Sequence, residues 1–256
     1  MQITIDNLDI EYDIFGDDDA PPILMLHGWG SSFQAFRPII DSLKNSYKVV
    51  GFNLPGCGAS SEMETPWTVK EYADLTQKFM NKLDLKDPIL IGHSHGGRIA
   101  MYMAANGMTS PKKMVLLGSA GIKAKKSFES RVKIRTFKLV KGFLSCPIWR
   151  KSAAKTLDKA RNYFGSADYK SASPVLRQTL VNLVNSDIRE ILPKIGASVL
   201  LIYGEKDTAT PVSAAKIIES KIKDCGLCII KDAGHFAFLD SPHEVNAIIN
   251  SFLGVK

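Results

Sequence analysis

Short runs of apolar residues alternate along the chain with longer segments in which apolar positions recur at helical spacing. Most of the apolar runs are rich in β-branched residues, and several are apolar nearly throughout, as expected of strands buried on both faces of a sheet. The strand segments are residues 2–6, 9–15, 22–28, 47–53, 88–94, 113–119, 198–204 and 227–232. This alternation predicts an α/β fold, a mostly parallel central sheet of about eight strands flanked by helices, with the first two strands as an opening hairpin.

Helical periodicity falls between these strands, in residues 33–45, 69–83, 96–106, 212–221 and 243–252. Residues 122–197, between the sixth and seventh strands, contain no convincing strand and have a helical pattern. A crossover between parallel strands needs only about a dozen residues. We therefore predict a core domain formed by residues 1–121 and 191–256. Residues 122–190 would then form a helical lid, inserted after the sixth strand.

Length and composition suit one large globular domain. The chain has 256 residues, of which 45% are hydrophobic and 23% charged, so extensive disorder is not expected. No stretch approaches the roughly 18 apolar residues of a membrane helix. The N-terminus also lacks the basic and apolar segments of a signal peptide. With only four scattered cysteines, we expect a reduced, cytoplasmic protein.

Two of the cysteines, Cys225 and Cys228, form a Cys-x-x-Cys sequence that could indicate redox or zinc chemistry. No second pair and no suitably spaced histidine accompanies them, and Cys228 opens an apolar, strand-like run. We expect both thiols to serve packing, and we predict neither a metal nor a cofactor.

The net charge of +7 is unevenly distributed. Residues 122–161 contain thirteen Lys or Arg and two acidic residues, a local charge of +11, which leaves −4 for the rest of the chain. A basic helical face can simply keep a lid in solution. Alternatively, it can attract an acidic substrate, an acidic protein partner or an anionic lipid surface. Nucleic acid is a poor fit, because no recognition motif accompanies the charge.

Residues 92–96 read Gly-His-Ser-His-Gly, between a predicted strand and a predicted helix. In this context, Gly-x-Ser-x-Gly is typical of a nucleophilic serine on a sharp turn, because side chains in place of Gly92 and Gly96 would collide with neighbouring backbone. The alternative is a glycine-rich turn that serves packing alone. We predict that Ser94 is the nucleophile. The backbone N–H of His95, at the helix start, can stabilise a developing oxyanion.

A nucleophilic serine needs a base to take its proton, and the base needs an acid to orient it. Asp207 lies just beyond the predicted strand 198–204, and His235 lies just beyond the next strand. We therefore predict a catalytic triad of Ser94, Asp207 and His235. Glu205, two residues before Asp207, is an alternative acid.

The chain resembles a lidded α/β-hydrolase, of the broad group that includes carboxylesterases, carbon–carbon bond hydrolases and haloperoxidase-like enzymes. The stretches that carry the resemblance are residues 27–32, 53–61, 92–97, 204–211 and 234–242. It implies that His27 and Gly28 belong to the oxyanion loop and that the Trp29 backbone N–H is the second oxyanion donor. Asn53 departs from the aspartate usual in this family, and we expect it to have a structural role.

The other histidines are not expected to act as the base. His27 is expected to brace the oxyanion loop through a backbone hydrogen bond. His93 and His95 flank the serine on a sharp turn, so their side chains should point away from it, and the His95 ring should pack between sheet and helix. His243 opens the last predicted helix and should be solvated.

These residues predict a serine hydrolase that cleaves small or medium acyl substrates, most simply carboxylic esters, through an acyl-enzyme. The same triad also supports carbon–carbon bond hydrolysis of diketone-like substrates. A proline-specific peptidase would need a lid carboxylate, for which Glu129 and Asp158 are the candidates in the basic segment. The "HGWG" stretch also resembles esterases that demethylate an acyl chain on an acidic carrier protein. A non-catalytic receptor of the same fold is the alternative from another class.

Overall fold

The computed structural model describes residues 1–123 and 172–255. They contain an eight-stranded sheet with the strand order β1-β2-β4-β3-β5-β6-β7-β8. The strands β1 and β2 pair antiparallel, as do β2 and β4, and all the other neighbours are parallel. The strands are β1 (Gln2–Ile5), β2 (Leu8–Phe15), β3 (Pro22–Leu26), β4 (Lys48–Phe52), β5 (Ile89–His93), β6 (Lys113–Leu117), β7 (Ser198–Gly204) and β8 (Cys225–Ile230). The predicted fold class and opening hairpin are confirmed.

Four of the seven α-helices in the described part of the chain begin and end within one residue of a predicted segment, and Pro174–Asn185 lies inside the predicted lid. The seven helices are α1 (Arg37–Leu43), α2 (Val69–Lys82), α3 (His95–Ala105), α4 (Pro174–Asn185), α5 (Val212–Lys221), α6 (Ala237–Asp240) and α7 (Pro242–Leu253). The helix α1 is shorter than predicted, because Phe33–Phe36 forms a separate 3-10 turn. The four-residue α6 was not predicted, since one turn is too short to produce a helical period.

Burial of the sheet explains the long apolar runs. Four of the five residues of β3, and likewise of β5 and β6, are buried. One large cluster of buried side chains joins the sheet to α1, α6 and α7, and it includes Phe36, Phe238 and Ile249. The helices α2 and α3 pack on each other, and α3 packs on β3 and β5. Because β3 and β5–β8 run parallel, their carboxyl ends share one edge of the sheet, which is where parallel sheets place binding sites.

The chain divides into two compact units, residues 1–123 with 182–256, and residues 124–181. The predicted lid, 122–190, overlaps mainly with the second unit, but residues 124–171 lie outside the described part of the chain. The helical character of that segment, and the role of its basic residues, therefore remain predictions.

The Cys-x-x-Cys pair lies within β8, and both thiols are free and half-buried. Cys228 packs against the large cluster of buried side chains, as expected. Among the residues described, no three His, Cys, Asp or Glu side chains are grouped so that they could hold a metal ion. None of the described helices is long and apolar enough to cross a membrane.

Candidate active site

Ser94 lies on a strained turn between β5 and α3. Its backbone has φ +50° and ψ −112°, a conformation that costs energy for a residue with a side chain. Three hydrogen bonds, to the end of β6 and the loop after it and to α3, stabilise it. The Ser94 N–H donates to the carbonyl of Leu117 at 3.0 Å, and the Ser94 carbonyl accepts from the N–H groups of Arg98 at 3.2 Å and Ala120 at 2.9 Å. The serine backbone is thereby fixed at the carboxyl edge of the sheet.

The glycines beside the turn allow close backbone contacts. A Cβ atom on Gly92 would lie 2.6 Å from the Cα of Gly97, and one on Gly96 would overlap the carbonyl of Leu26. Backbone atoms such as these cannot move aside cheaply. The structure therefore gives the predicted physical reason for both glycines.

The loop after β3 approaches the serine directly. A Cβ atom on Gly28 would lie 3.1 Å from the Cβ of Ser94. The adjacent Trp29 is half-buried, and His95 is the first residue of α3. Neither the Trp29 N–H nor the His95 N–H donates to another backbone group within the described residues. Among the residues described, both of the predicted oxyanion donors are thus unused by the backbone.

His27 is buried behind this loop and makes two hydrogen bonds with backbone. Its Nδ1–H donates to the Gly28 carbonyl at 2.7 Å, and its Nε2 accepts from the Leu54 N–H at 2.9 Å. Burial lowers the pKa of His27 to about 4, which keeps the ring neutral. The ring therefore links the loops after β3 and β4.

Asp207 and His235 lie together beyond the ends of β7 and β8. The Asp207 Oδ2 is 2.8 Å from the His235 Nδ1; the carboxylate is fully buried and the imidazole is 22% exposed. The other oxygen, Oδ1, accepts the backbone N–H groups of Ala209 at 2.8 Å and Thr210 at 2.9 Å. An acceptor at Nδ1 puts the proton of the neutral ring on Nδ1 and leaves Nε2 free to act as a base.

The ionisation of Asp207 suits this arrangement. Burial acts to raise the pKa of its carboxyl, but hydrogen bonds from His235 and Thr210 outweigh burial and hold the pKa below its ordinary value. The alternative acid, Glu205, is exposed, and its carboxylate accepts the Asp232 N–H at 3.1 Å instead. Asp207 is thus the carboxylate in contact with His235.

Thr210 is a part of this cluster that the sequence did not predict. Its Oγ lies 2.7 Å from the Asp207 Oδ2, 2.8 Å from the Gly118 carbonyl oxygen and 3.2 Å from the His235 Nδ1. The hydroxyl therefore lies beside both members of the acid–base pair. A threonine three residues after an aspartate is common, and nothing in the sequence distinguishes this one.

The remaining histidines occupy three different environments. His95 is buried, with its ring edge-to-face against Tyr72 at 4.8 Å, and neither ring nitrogen has a partner among the described residues. His243 is exposed on α7. His93 is buried, and its Nε2 lies 3.1 Å from the His235 carbonyl oxygen, a contact that the sequence did not predict.

Comparison with known proteins gives matches over nearly the whole chain. A family model described as the alpha/beta hydrolase fold matches residues 21–242. The AB hydrolase superfamily protein YisY of Bacillus subtilis is 29% identical, over 90% of this chain and 91% of its own length. The pimeloyl-[acyl-carrier protein] methyl ester esterase of Proteus mirabilis is 26% identical, over 87% of this chain and 88% of its own. A crystal structure of a hydrolase from Pseudomonas aeruginosa superposes with a TM-score of 0.77 at 20% identity, covering 99% and 98% of the two chains.

Proposed function

The chain belongs to the α/β hydrolase fold family, and from that premise we propose that it is a serine hydrolase that cleaves carboxylic esters with a small or medium acyl group. Ser94 is the proposed nucleophile, His235 the base and Asp207 the acid that orients it. The observation that carries the proposal is the buried Asp207 carboxylate 2.8 Å from the His235 Nδ1. This pair lies at the same edge of the sheet as the strained turn that bears Ser94.

The proposed reaction depends on proton transfers through His235. The His235 Nε2 takes the hydroxyl proton of Ser94 as its Oγ attacks the ester carbonyl, and the Asp207 carboxylate stabilises the imidazolium that forms. The N–H groups of Trp29 and His95 bind the oxyanion of the tetrahedral intermediate. The imidazolium then gives its proton to the departing alcohol, which leaves an acyl-enzyme on Ser94. A water activated by His235 releases the acid.

The ester substrate is supported by a relative. The Proteus mirabilis protein, similar over most of both chains, is described as an esterase acting on a methyl ester of an acyl group attached to a carrier protein. An acidic carrier would complement the basic segment 122–161, of which only residues 122 and 123 lie in the described part of the chain. The carrier-protein partner therefore rests on the sequence and on the relative, and not on the described structure.

Hydrolysis of p-nitrophenyl esters from acetate to octanoate tests the proposal. Ser94→Ala should lose at least about a thousandfold in kcat/KM, as removal of a triad nucleophile does. The matched control is Ser220→Ala, which removes an exposed hydroxyl from α5 and should leave turnover unchanged. The chain-length profile of the unaltered protein then gives the size of the acyl site.

Two outcomes would contradict the ester assignment and point in different directions. If the protein turns over no ester but Ser94 is labelled by a fluorophosphonate, the serine is activated for another bond, and diketone-like carbon–carbon substrates are tested next. If neither turnover nor labelling is found, the serine is not activated, and a small-molecule receptor of the same fold accounts better for the chain.

A further inference from the structure

His93 connects the residue that bears the nucleophile to the residue that bears the base. It is the last residue of β5, directly before Ser94, and only 2% of its surface is exposed. Its Nε2 lies 3.1 Å from the carbonyl oxygen of His235, which is 142 positions away in the sequence. A carbonyl oxygen can only accept, so the His93 Nε2 carries the hydrogen.

We propose that His93 is a positioning residue, whose Nε2–H holds the backbone of His235 at the place from which its imidazole reaches Ser94. The inference rests on the proposed function, because it assigns His93 a part in activating Ser94. In this role His93 transfers no proton and does not contact the substrate.

The need for such a contact follows from how His235 is otherwise held. Asp207 fixes the Nδ1 end of the imidazole at 2.8 Å, but the backbone of His235 belongs to a loop after β8. The preceding Gly234 is fixed by its N–H, which donates to the Asp240 carboxylate at 2.7 Å. The carbonyl of His235 itself is held by His93. A displacement of about 1 Å between reacting groups can reduce a rate about 100-fold, so this contact bears directly on the rate.

The surroundings of His93 keep its ring in place and neutral. Its centroid lies 4.7 Å from the ring centroids of both His235 and Phe236, and 5.2 Å from that of Phe238. Burial, together with the nearby His235, lowers the pKa of His93 to about 3. A ring that stays neutral does not compete for the serine proton, and it adds no second positive charge beside the imidazolium of His235.

The orientation of the ring agrees with this role. A Cβ atom on Gly28 would lie 2.8 Å from the His93 Nδ1, so that nitrogen faces the loop after β3. The Nε2 side faces His235. One buried ring therefore lies between the loop that carries the proposed Trp29 donor and the loop that carries the proposed base.

Three substitutions of His93 distinguish the effect of losing the hydrogen bond from the effect of losing the ring volume. Gln places an amide nitrogen near the position of the histidine Nε2; Asn offers the same amide but is too short to reach; Phe keeps a ring without a donor. We measure kcat and KM for p-nitrophenyl acetate, and we count active sites by fluorophosphonate titration so that only folded protein contributes.

His93→Phe and His93→Asn should lower kcat about tenfold, the size expected for losing one hydrogen bond that supports the transition-state geometry. KM should change by less than about twofold, and His93→Gln should keep kcat within about threefold of the unaltered protein. Equal kcat for the Gln and Asn variants, or a Phe variant with unchanged kcat, would overturn the proposal. If the Phe variant does not fold, comparison of the Gln and Asn variants still tests whether the hydrogen bond to His235 matters.

The rate of Ser94 labelling by the fluorophosphonate separates this inference from the ester assignment. Labelling reports on serine activation whatever the natural substrate is, and it should be slower in the Asn variant than in the Gln variant. A protein that turns over no ester but shows this difference would contradict the ester assignment and support the role of His93. Equal labelling rates in a protein that does turn over esters would contradict the role of His93 alone.

Discussion

The carboxylate of Asp207 is held on both oxygens, and Thr210 supplies two of its hydrogen bonds. The Thr210 backbone N–H donates to Oδ1 and the Thr210 Oγ lies 2.7 Å from Oδ2, the oxygen that contacts His235. The hydroxyl has a single proton, which Oδ2 shares with the Gly118 carbonyl oxygen 2.8 Å away. The hydroxyl thus helps to keep Asp207 ionised and aimed at the ring.

Thr210→Val removes this hydroxyl while keeping the shape of the side chain and the backbone N–H. Two buried acceptors lose a donor, so we expect the free energy of unfolding in urea to fall by about 1–2 kcal/mol. We also expect kcat to fall several-fold, because Oδ2 is left with one donor. Thr210→Ser is the matched control and should stay close to the unaltered protein. Equal losses in the Val and Ser variants would mean that the methyl group, and not the hydroxyl, is what matters.

The sequence could predict that Ser94, Asp207 and His235 lie at one edge of the sheet, because each follows an apolar strand and the carboxyl ends of parallel strands meet there. It could not predict the contacts of Thr210 and His93. Those depend on how a loop folds back over a few residues, and on the direction in which one buried ring points. A pattern of hydrophobic positions contains neither kind of information.

At the scale of elements, the loop after β4 supports the loop after β3 through Asn53. Its Oδ1 accepts the Phe33 N–H at 3.0 Å, and its Nδ2 donates to the Glu11 carboxylate of β2 at 2.6 Å. Hydrogen bonds from the Ala59 backbone and from Asn53 lower the pKa of Glu11, although burial opposes them. Asn53 has the structural position that we expected, and Glu11 supplies the negative charge next to it.

Asn53→Asp should be strongly destabilising at pH 7, because it places a second carboxylate against Glu11 at a buried position and removes the donor between them. Loss of the hydrogen bond to the half-buried Glu11, with a like charge in its place, should cost about 1–3 kcal/mol. Urea unfolding measures the loss, and it should become smaller towards pH 5 as one of the two carboxyls takes up a proton.

The control is the double variant Asn53→Asp with Glu11→Gln, which restores one carboxylate and one amide in exchanged positions. It should recover more than half of the lost stability. Simple addition of the two single losses would show that the two side chains do not interact, and would contradict this account of the loops.

The sequence predicts the start of helix α2 better than the start of helix α1. The helix α2 has a Thr68–Glu71 capping box at its start, and it was predicted to within one residue. The helix α1 has no such signal, and its predicted span took in the separate turn at Phe33–Phe36. A side-chain cap marks the start of α2 in the sequence, whereas the start of α1 after Phe36 has none.

Across the whole molecule, three histidines lie buried around the turn at Ser94. Burial lowers the pKa of His27 to about 4 and that of His93 to about 3, and burial, followed by the nearby Arg98, lowers the pKa of His95 well below its ordinary value. All three rings are therefore neutral in the folded protein at pH 5–7, whereas in the unfolded chain they take up protons below about pH 6.5.

The unfolded chain consequently binds more protons than the folded protein as the pH falls below about 6.5, and stability must fall with it. At pH 5.5 each ring costs about 1.4 kcal/mol relative to pH 7.5, so we expect a total loss of about 4 kcal/mol, measured by urea unfolding at the two pH values. The lowered pKa values of Glu11 and Asp207 act in the same direction but at lower pH. The interval from pH 7.5 to 5.5 therefore reports mainly on the histidines.

His95→Leu tests this account, because it removes one buried ring but keeps the backbone N–H at that position. It should reduce the loss between pH 7.5 and 5.5 by about a third. At pH 7.5 it should not destabilise the protein, since neither ring nitrogen has a partner among the described residues and removing an unpaired buried polar group is favourable. His243→Gln, at the exposed position on α7, should leave the loss unchanged. If His95→Leu also leaves it unchanged, the ring of His95 must bind its proton as readily in the folded protein as in the unfolded chain, and burial cannot be what sets its pKa.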